Sequence, residues 1–327
     1  MSLPRTAHSL SFSLPFSFSL VESGPRMLLL ETPEPATARR RDPRGRRRWG
    51  WTQTIVVIVA ALGAGVLVYP MAASWFSAWR HDTEVNGYVQ TVESIPGREL
   101  DALLDAAHEY NEVLPSGPVR DPYALGADGQ RTDIGLGVDA YAQMLRIPGV
   151  EAMSRVRIPS IDVDLPIFHG TEEGMLSRGV GHLYGSSLPV GGSGTHTVLA
   201  GHSGFVQATL FDHIAELREG DLIVLTTLGE DLYYEVDQSI VVLPDETDAL
   251  RQEAGHDYVT LVTCTPTGVN THRLLVRAER VDAPTESETR SIVADDTAAA
   301  GFPWWALILV GVPALAAFVV TPRRRRR

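Results

Sequence analysis

Two uncharged apolar runs bracket this chain and limit what the rest of it can become. The first extends from Trp51 to Phe76, with Ile55-Val-Val-Ile-Val-Ala-Ala-Leu62 at its centre, and the second from Phe302 to Thr321. Each holds about 20 residues, enough to cross a ~30 Å hydrocarbon core. Trp49, Trp51, Trp75, Trp304 and Trp305 fall near the ends of these runs, as interfacial aromatics do. The competing reading of the first run is a cleaved signal peptide. The run is long for a signal's apolar core and lacks a small-x-small cleavage site, so a transmembrane helix is expected. The residues between the two runs must then fold outside the bilayer while tethered at both ends.

The charges say which side. All 28 basic residues are arginines, and 14 of them lie outside Arg80–Arg290: nine before Trp49 and five in Arg323–Arg327. Arg46-Arg47-Arg48 precedes the first run and the five-arginine tail follows the second. The positive-inside rule predicts both termini in the cytoplasm and the middle outside the cell. That middle holds 14 arginines against 36 acids, a net of -22, whereas the whole chain has a formal charge of -12. A surface of that sign cannot neutralise phosphates, which excludes nucleic acid as a partner.

Cys264 is the single cysteine, so no internal disulfide can form. It ends a β-branched run and precedes a Pro/Gly turn in Thr260-Leu-Val-Thr-Cys-Thr-Pro-Thr-Gly-Val-Asn-Thr-His-Arg273. His202 lies upstream in Leu199-Ala-Gly-His-Ser-Gly204. An exported protein usually pairs its thiols, and an odd one is either incidental or reactive. A thiol, an imidazole and a guanidinium at strand ends are the parts needed for acyl transfer through a thioester. His272 neighbours Arg273 on a strand, faces the other way and reads as structural. His169, His182 and His196 do not make a metal-ligand spacing, and no metal or cofactor is expected.

The rest of the chain divides by pattern. Residues 1–50 read as a cytoplasmic tail, with translation starting at or near Met27 or the whole tail disordered. Residues 51–76 form the first transmembrane helix. Residues 77–152 hold helices and a loop. Leu100, Leu103, Leu104, Ala107, Tyr110 and Leu114 repeat at helical spacing up to Pro115, and residues 116–137 read as a long Pro/Gly loop. Val138 to Leu145 is expected to be a short helix. Residues 153–281 read as a mainly β domain. Seven strands are expected, at 155–158, 163–168, 195–201, 221–227, 232–243, 258–263 and 273–281, with a helical excursion over 208–214. Short strands separated by turns suggest a closed barrel or a sandwich. Residues 282–301 are an acidic Thr/Ser/Ala linker, 302–321 the second transmembrane helix and 322–327 a basic tail.

The sequence resembles the sortases, membrane-anchored cysteine transpeptidases of Gram-positive surfaces, from about Val68 to Arg280. Thr263-Cys264-Thr265-Pro266 with Asn270-Thr-His-Arg273 is similar to the sortase active-site signature, and Leu199-Ala-Gly-His202 to its histidine segment. Leu165-Pro-Ile-Phe-His-Gly170, Gly179-Val-Gly-His182, Ser187-Leu-Pro-Val-Gly-Gly192 and the second apolar run are similar to segments of class C, the pilin-polymerising type. Ser203, Thr267 and Tyr123 depart from that pattern, standing where Arg, Tyr, and Trp or Phe are frequent. The resemblance implies an eight-stranded β-barrel with N-terminal helices and two flanking transmembrane helices. It implies that Cys264 attacks the threonine carbonyl of an LPXTG-like sorting signal. His202 then protonates the leaving amine and Arg273 faces the oxyanion. It also implies a lid, Asp121-Pro122-Tyr123, with Tyr123 covering Cys264 and Asp121 pairing with Arg273. The implied partners are pilins or surface proteins with C-terminal sorting signals, and an acceptor amine from a pilin lysine. Two alternatives stand beside this: anchoring of surface proteins to a cell-wall peptide of peptidoglycan, and a non-catalytic adhesion or scaffold module.

Overall fold

The computed structural model describes residues 49–115, 121, 123, 137–205, 207–284 and 301–321. The expected start at Met27, the cytoplasmic tail before Trp49, Pro122, and most of the loop, linker and basic tail lie outside those residues.

Eight strands close into a barrel in the order β1-β2-β3-β4-β7-β8-β6-β5. They are β1 (Ala152–Ile158), β2 (Val163–His169), β3 (Val180–His182), β4 (Thr195–Ala200), β5 (Leu222–Thr227), β6 (Glu230–Val242), β7 (Asp257–Thr265) and β8 (His272–Val281). The β2–β3 and β4–β7 pairs are parallel and the other six antiparallel. It follows that β1, β4, β6 and β7 run the same way, and their C-terminal ends share one end of the barrel. The strand that periodicity misses is β3, because three residues are too few to show an alternation. It is recognisable only through its partners, Ile167 to His169 on one side and Leu199 and Ala200 on the other.

Alternation fills the interior where a strand has one solvent face. In β6, Leu232, Tyr234 and Val236 are buried while Glu235 between them is exposed. In β1 every residue is buried, because helices cover its outer face. The main core gathers Met153, Val156, Ile167, Leu199, Val259 and Leu261 from the strands with Tyr88 and Val92 from outside the barrel.

Those last two belong to α1, an unbroken helix from Trp51 to Ser94. The apolar run therefore does not end in a loop at Phe76. Helix continues through it, past Pro70, with Ser77, His81, Val85, Tyr88 and Val92 buried at spacings of three and four residues. Tyr88 fastens this extension to the barrel. Its hydroxyl accepts from the Leu228 backbone N–H at 2.7 Å and donates to the Met153 carbonyl at 3.3 Å. Arg178 adds a second fastening, bonding Glu84 of α1 at 2.9 Å and stacking over Phe168 of β2. Tyr88→Phe leaves the buried Leu228 N–H unpaired, and a loss of about 1–3 kcal/mol is expected. Denaturant unfolding of the detergent-solubilised protein checks this; an unchanged midpoint refutes it.

Helix α2 (Gly97–Val113) begins three residues before the first leucine of its pattern. Helix α3 (Val138–Tyr141) is shorter than expected, since residues 142–145 form turns ending at Leu145 with φ of 52°. A third short helix, α4 (Glu173–Leu176), links β2 to β3. The helix expected over 208–214 is absent; the segment is a series of turns followed by a 3-10 turn at Ile214–Glu216. Asp212 explains the difference. Its carboxylate accepts from the backbone N–H groups of Gly204 and Leu210, at 2.7 and 2.9 Å, and so folds the segment back as a side-chain-bonded turn.

The second apolar run forms α5 (Trp304–Val320), 17 residues long. At 1.5 Å per residue it spans about 25 Å, slightly less than a hydrocarbon core. It meets α1 where the first apolar run ends. Trp75 Nε1 donates to the Gly301 carbonyl at 2.6 Å, and the rings of Trp75, Phe76 and Trp305 cluster within 6.1 Å of one another. Helix α1 is long and apolar enough to cross a membrane, and with the shorter α5 it is compatible with membrane anchoring.

Candidate active site

Three strand ends converge at the end of the barrel where β4, β6 and β7 finish. Cys264 is the penultimate residue of β7, Arg273 is the second of β8, and the two are direct register partners. His202 follows β4 by two residues. Strand β4 lies parallel to β7 with Ala200 opposite Val262, and that pairing continues past the strand. The Gly201 N–H donates to the Val262 carbonyl at 3.1 Å, and Thr263 Oγ1 donates to the Gly201 carbonyl at 2.7 Å. The backbone carrying the imidazole is thus fixed to the backbone carrying the thiol.

His202 is held by its surroundings. Phe205 stacks on the ring with centroids 5.4 Å apart and planes 19° apart. Nε2 lies 3.2 Å from Oε2 of Glu173 on α4. The His202 carbonyl accepts from the Phe211 N–H at 2.9 Å, which ties the loop to a core residue. Neither Glu173 nor Phe205 was singled out from the sequence. A lone glutamate after a Thr-Glu pair and a phenylalanine in a Gly-rich loop carry no local pattern, and only the tertiary fold brings them to the imidazole. Ser203 and Thr267, two of the departures from the family pattern, hydrogen-bond to each other at 3.0 Å.

Asp121 and Tyr123 sit on the same site. The Asp121 carboxylate accepts from Nε and Nη2 of Arg273, each at 2.8 Å, and both side chains are about nine-tenths buried. The other terminal nitrogen of Arg273, Nη1, donates to the carbonyls of Asn270 and His272. The guanidinium is therefore fully occupied. It also lies over the Tyr123 ring, 5.1 Å from its centroid. The Tyr123 hydroxyl donates to the Gly201 carbonyl at 2.7 Å, and its ring is 6.0 Å from that of His202. Pro122 between them lies outside the described residues.

The half-buried thiol of Cys264 is pushed above its ordinary pKa. Burial is the main cause. The Asp121 charge adds to it and the Arg273 charge opposes it. In this arrangement the sulfur is held mostly protonated.

The remaining histidines are used elsewhere. His182 bonds the Tyr141 hydroxyl and the Ser187 carbonyl in the barrel wall, and burial pushes its pKa down to about 4. His196 bonds the Arg251 carbonyl and Thr260, and His169 the Met144 carbonyl. The imidazole of His272 bonds the hydroxyl of its neighbour Thr271.

Known proteins resemble this chain over the same barrel. The sortase domain family model matches residues 156–281, from within β1 to the end of β8. Sortase C-1 from Actinomyces oris superposes with a TM-score of 0.54 at 47% identity, covering 57% of this chain and 99% of that one. The sortase C of Streptococcus pneumoniae, whose structure is described in terms of catalysis and pilin substrate specificity, superposes with a TM-score of 0.54 at 36% identity. That match covers 61% of this chain and 98% of the other. Sortase A of Bacillus anthracis is 30% identical over 131 residues, 40% of this chain and 60% of that protein. The chain spans about half to three-fifths of the length of the first curated relatives it matches.

Proposed function

The chain belongs to the sortase family, and from that membership we propose that it is a membrane-anchored cysteine transpeptidase acting on proteins with an LPXTG-like sorting signal. The observation that carries this reading is the register pairing of Cys264 with Arg273, beside a strand that delivers His202 to the same barrel end. Structural neighbours of the class C type favour pilin subunits as substrates and a pilin lysine as the acceptor. Both termini lie in the cytoplasm in this reading, and the barrel lies outside.

The chemistry runs in two halves. The Cys264 thiolate attacks the threonine carbonyl carbon, and the carbonyl oxygen takes the charge facing Arg273. As that intermediate collapses, the bond to the next residue breaks and the imidazolium of His202 gives its proton to the leaving amine. A thioester joins substrate to sulfur. A lysine amine then attacks the same carbon, His202 accepts the amine's proton, and the thiolate leaves. The product is an isopeptide bond, and no water is consumed.

In the closed arrangement this cannot start, because Asp121 occupies the guanidinium fork and raises the thiol pKa. The segment carrying Asp121 and Tyr123 acts as a lid in this proposal. Opening it frees Arg273 for the oxyanion and removes the carboxylate that disfavours the thiolate.

Incubation of the full chain with a pilin bearing its sorting signal is expected to give a mass increment on Cys264 equal to the truncated pilin, labile to hydroxylamine. Cys264→Ala should give none. A wild-type enzyme that consumes the pilin without such an adduct sinks the mechanism. If a cell-wall peptide resolves the thioester and a pilin lysine does not, the acceptor assignment moves to peptidoglycan.

A further inference from the structure

We propose that the Cys264 end of the barrel faces the outer leaflet of the membrane entered by α1, and that Val241, Leu243 and Val269 rest on that leaflet. The proposal builds on the membrane-anchored reading above and concerns how the site is presented.

Three observations fix the orientation. First, α1 has no break between its apolar run and the segment packed on the barrel. The helix therefore leads directly from the apolar run onto the barrel. Second, α1 runs antiparallel to β1. Just beyond the apolar run, Ala78, His81 and Asp82 share a cavity of about 410 Å³ with Pro159, Ile161 and Asp162, the turn that follows β1. Two to three helical turns later, Tyr88 bonds Met153 at the start of β1 and Leu228 in the β5–β6 turn. The end of β1 is thus the membrane-proximal end. Third, β1, β4, β6 and β7 are co-directional, so Cys264 and His202 lie at that same end.

The apolar surface agrees independently. Among the described residues of the barrel, the large hydrophobic side chains left exposed are Val241 (59%), Leu243 (45%) and Val269 (64%). All three are at the Cys264 end. Val242 pairs with Arg273, which pairs with Cys264, so Val241 near the end of β6 and Leu243 just after it are level with the site. Val269 is in the β7–β8 turn, where the Asn270 and Val269 N–H groups bond the Pro266 carbonyl. Singly exposed apolar side chains mean little, but two valines and a leucine confined to the one end that faces a bilayer are a contact surface. The arginines at this end that are most deeply placed are already engaged, Arg273 by Asp121 and Arg157 by Asp231. The contact is therefore apolar and not a charge attraction to anionic lipid.

Depth measurement tests this. The full chain carrying Cys264→Ala is given one thiol, by Val269→Cys or by Glu230→Cys at the start of β6 on the opposite end. Each is labelled with a fluorophore and placed in nanodiscs of phosphatidylcholine containing a headgroup-nitroxide lipid. The 269 label is expected to lose most of its fluorescence and the 230 label to keep it. Equal quenching, or more at 230, overturns the orientation. A 269 label that ignores the nitroxide lipid but shifts with a soluble sorting-signal peptide marks the patch as substrate-binding and also overturns it. Thioester formation by wild-type protein in the same discs is read separately. Thioester without quenching removes this inference and leaves the function, and quenching without thioester does the reverse.

Discussion

Arg273→Ala is expected to lower transpeptidation roughly 10²–10³-fold, the usual cost of removing one oxyanion stabiliser. The effect should fall on kcat, because the charge it answers develops only in the transition state. Arg273→Lys should recover little. A lysine keeps the charge but not the planar fork that here reaches two carbonyls and a carboxylate at once. The variant also breaks the buried pair with Asp121, and the two consequences must be separated. The comparison is therefore made in an Asp121→Ala background, where no pair exists to break. If the loss persists there, Arg273 acts on the reacting carbonyl. If it vanishes, the residue serves only to hold the lid, and the assigned role falls.

Asp121→Ala with Tyr123→Ala should have an effect in the opposite direction, on access. Removing one partner of a buried, hydrogen-bonded charge pair costs about 2–5 kcal/mol. At 1.36 kcal/mol per tenfold, the lower figure alone shifts the closed–open balance about 30-fold. Alkylation of Cys264 at fixed pH should quicken by roughly that factor or more. The pH profile should move as well. Burial and the Asp121 carboxylate both raise the thiol pKa in the closed site. Losing the carboxylate and the cover lowers it, so the midpoint of the alkylation profile should shift to lower pH. Faster labelling with an unmoved midpoint would leave Tyr123 as a cover and remove the electrostatic part. Unchanged labelling would end the lid proposal.

What could be read from the sequence followed the strength of local pattern. Seven strands were legible because they have the length and β-branched content to show alternation, whereas β3 is set by its neighbours and not by itself. Pattern alone left barrel or sandwich open, and the eight-stranded closure was implied by the family resemblance. The thiol, imidazole and guanidinium stood out because each lies beside a turn that ends a strand. Their register did not stand out: nothing in the nine positions from Cys264 to Arg273 says that the turn places them opposite each other, and the backbone bonds to Pro266 decide it. The extension of α1 beyond Phe76 was hidden for a different reason. The apolar run masks the change from a lipid-facing helix to one with a single buried seam, and the residues of that seam include Ser77 and His81. The turns at 208–214 were mistaken for helix because Ala208, Leu210 and Phe211 form an apolar succession, whereas the Asp212 carboxylate ties the segment to the N–H groups of Gly204 and Leu210 as a turn.

The segment bearing Asp121 and Tyr123 is pinned at both of its ends. Before it, the Asn111 amide exchanges hydrogen bonds with the Leu188 backbone, at 2.7 and 3.2 Å. After it, the Tyr141 hydroxyl joins His182 and the Gly170 N–H. A displaced Asp121 therefore stays tethered to the barrel through Asn111 and Tyr141. The tether holds it at an effective concentration on the order of millimolar. In the proposed mechanism Asp121 is a resident rival for the guanidinium, and an incoming peptide would meet a competition that dilution does not weaken. Apparent affinity for short soluble substrates should be poor for that reason alone, and it should improve when the strap is severed on either side of residue 121.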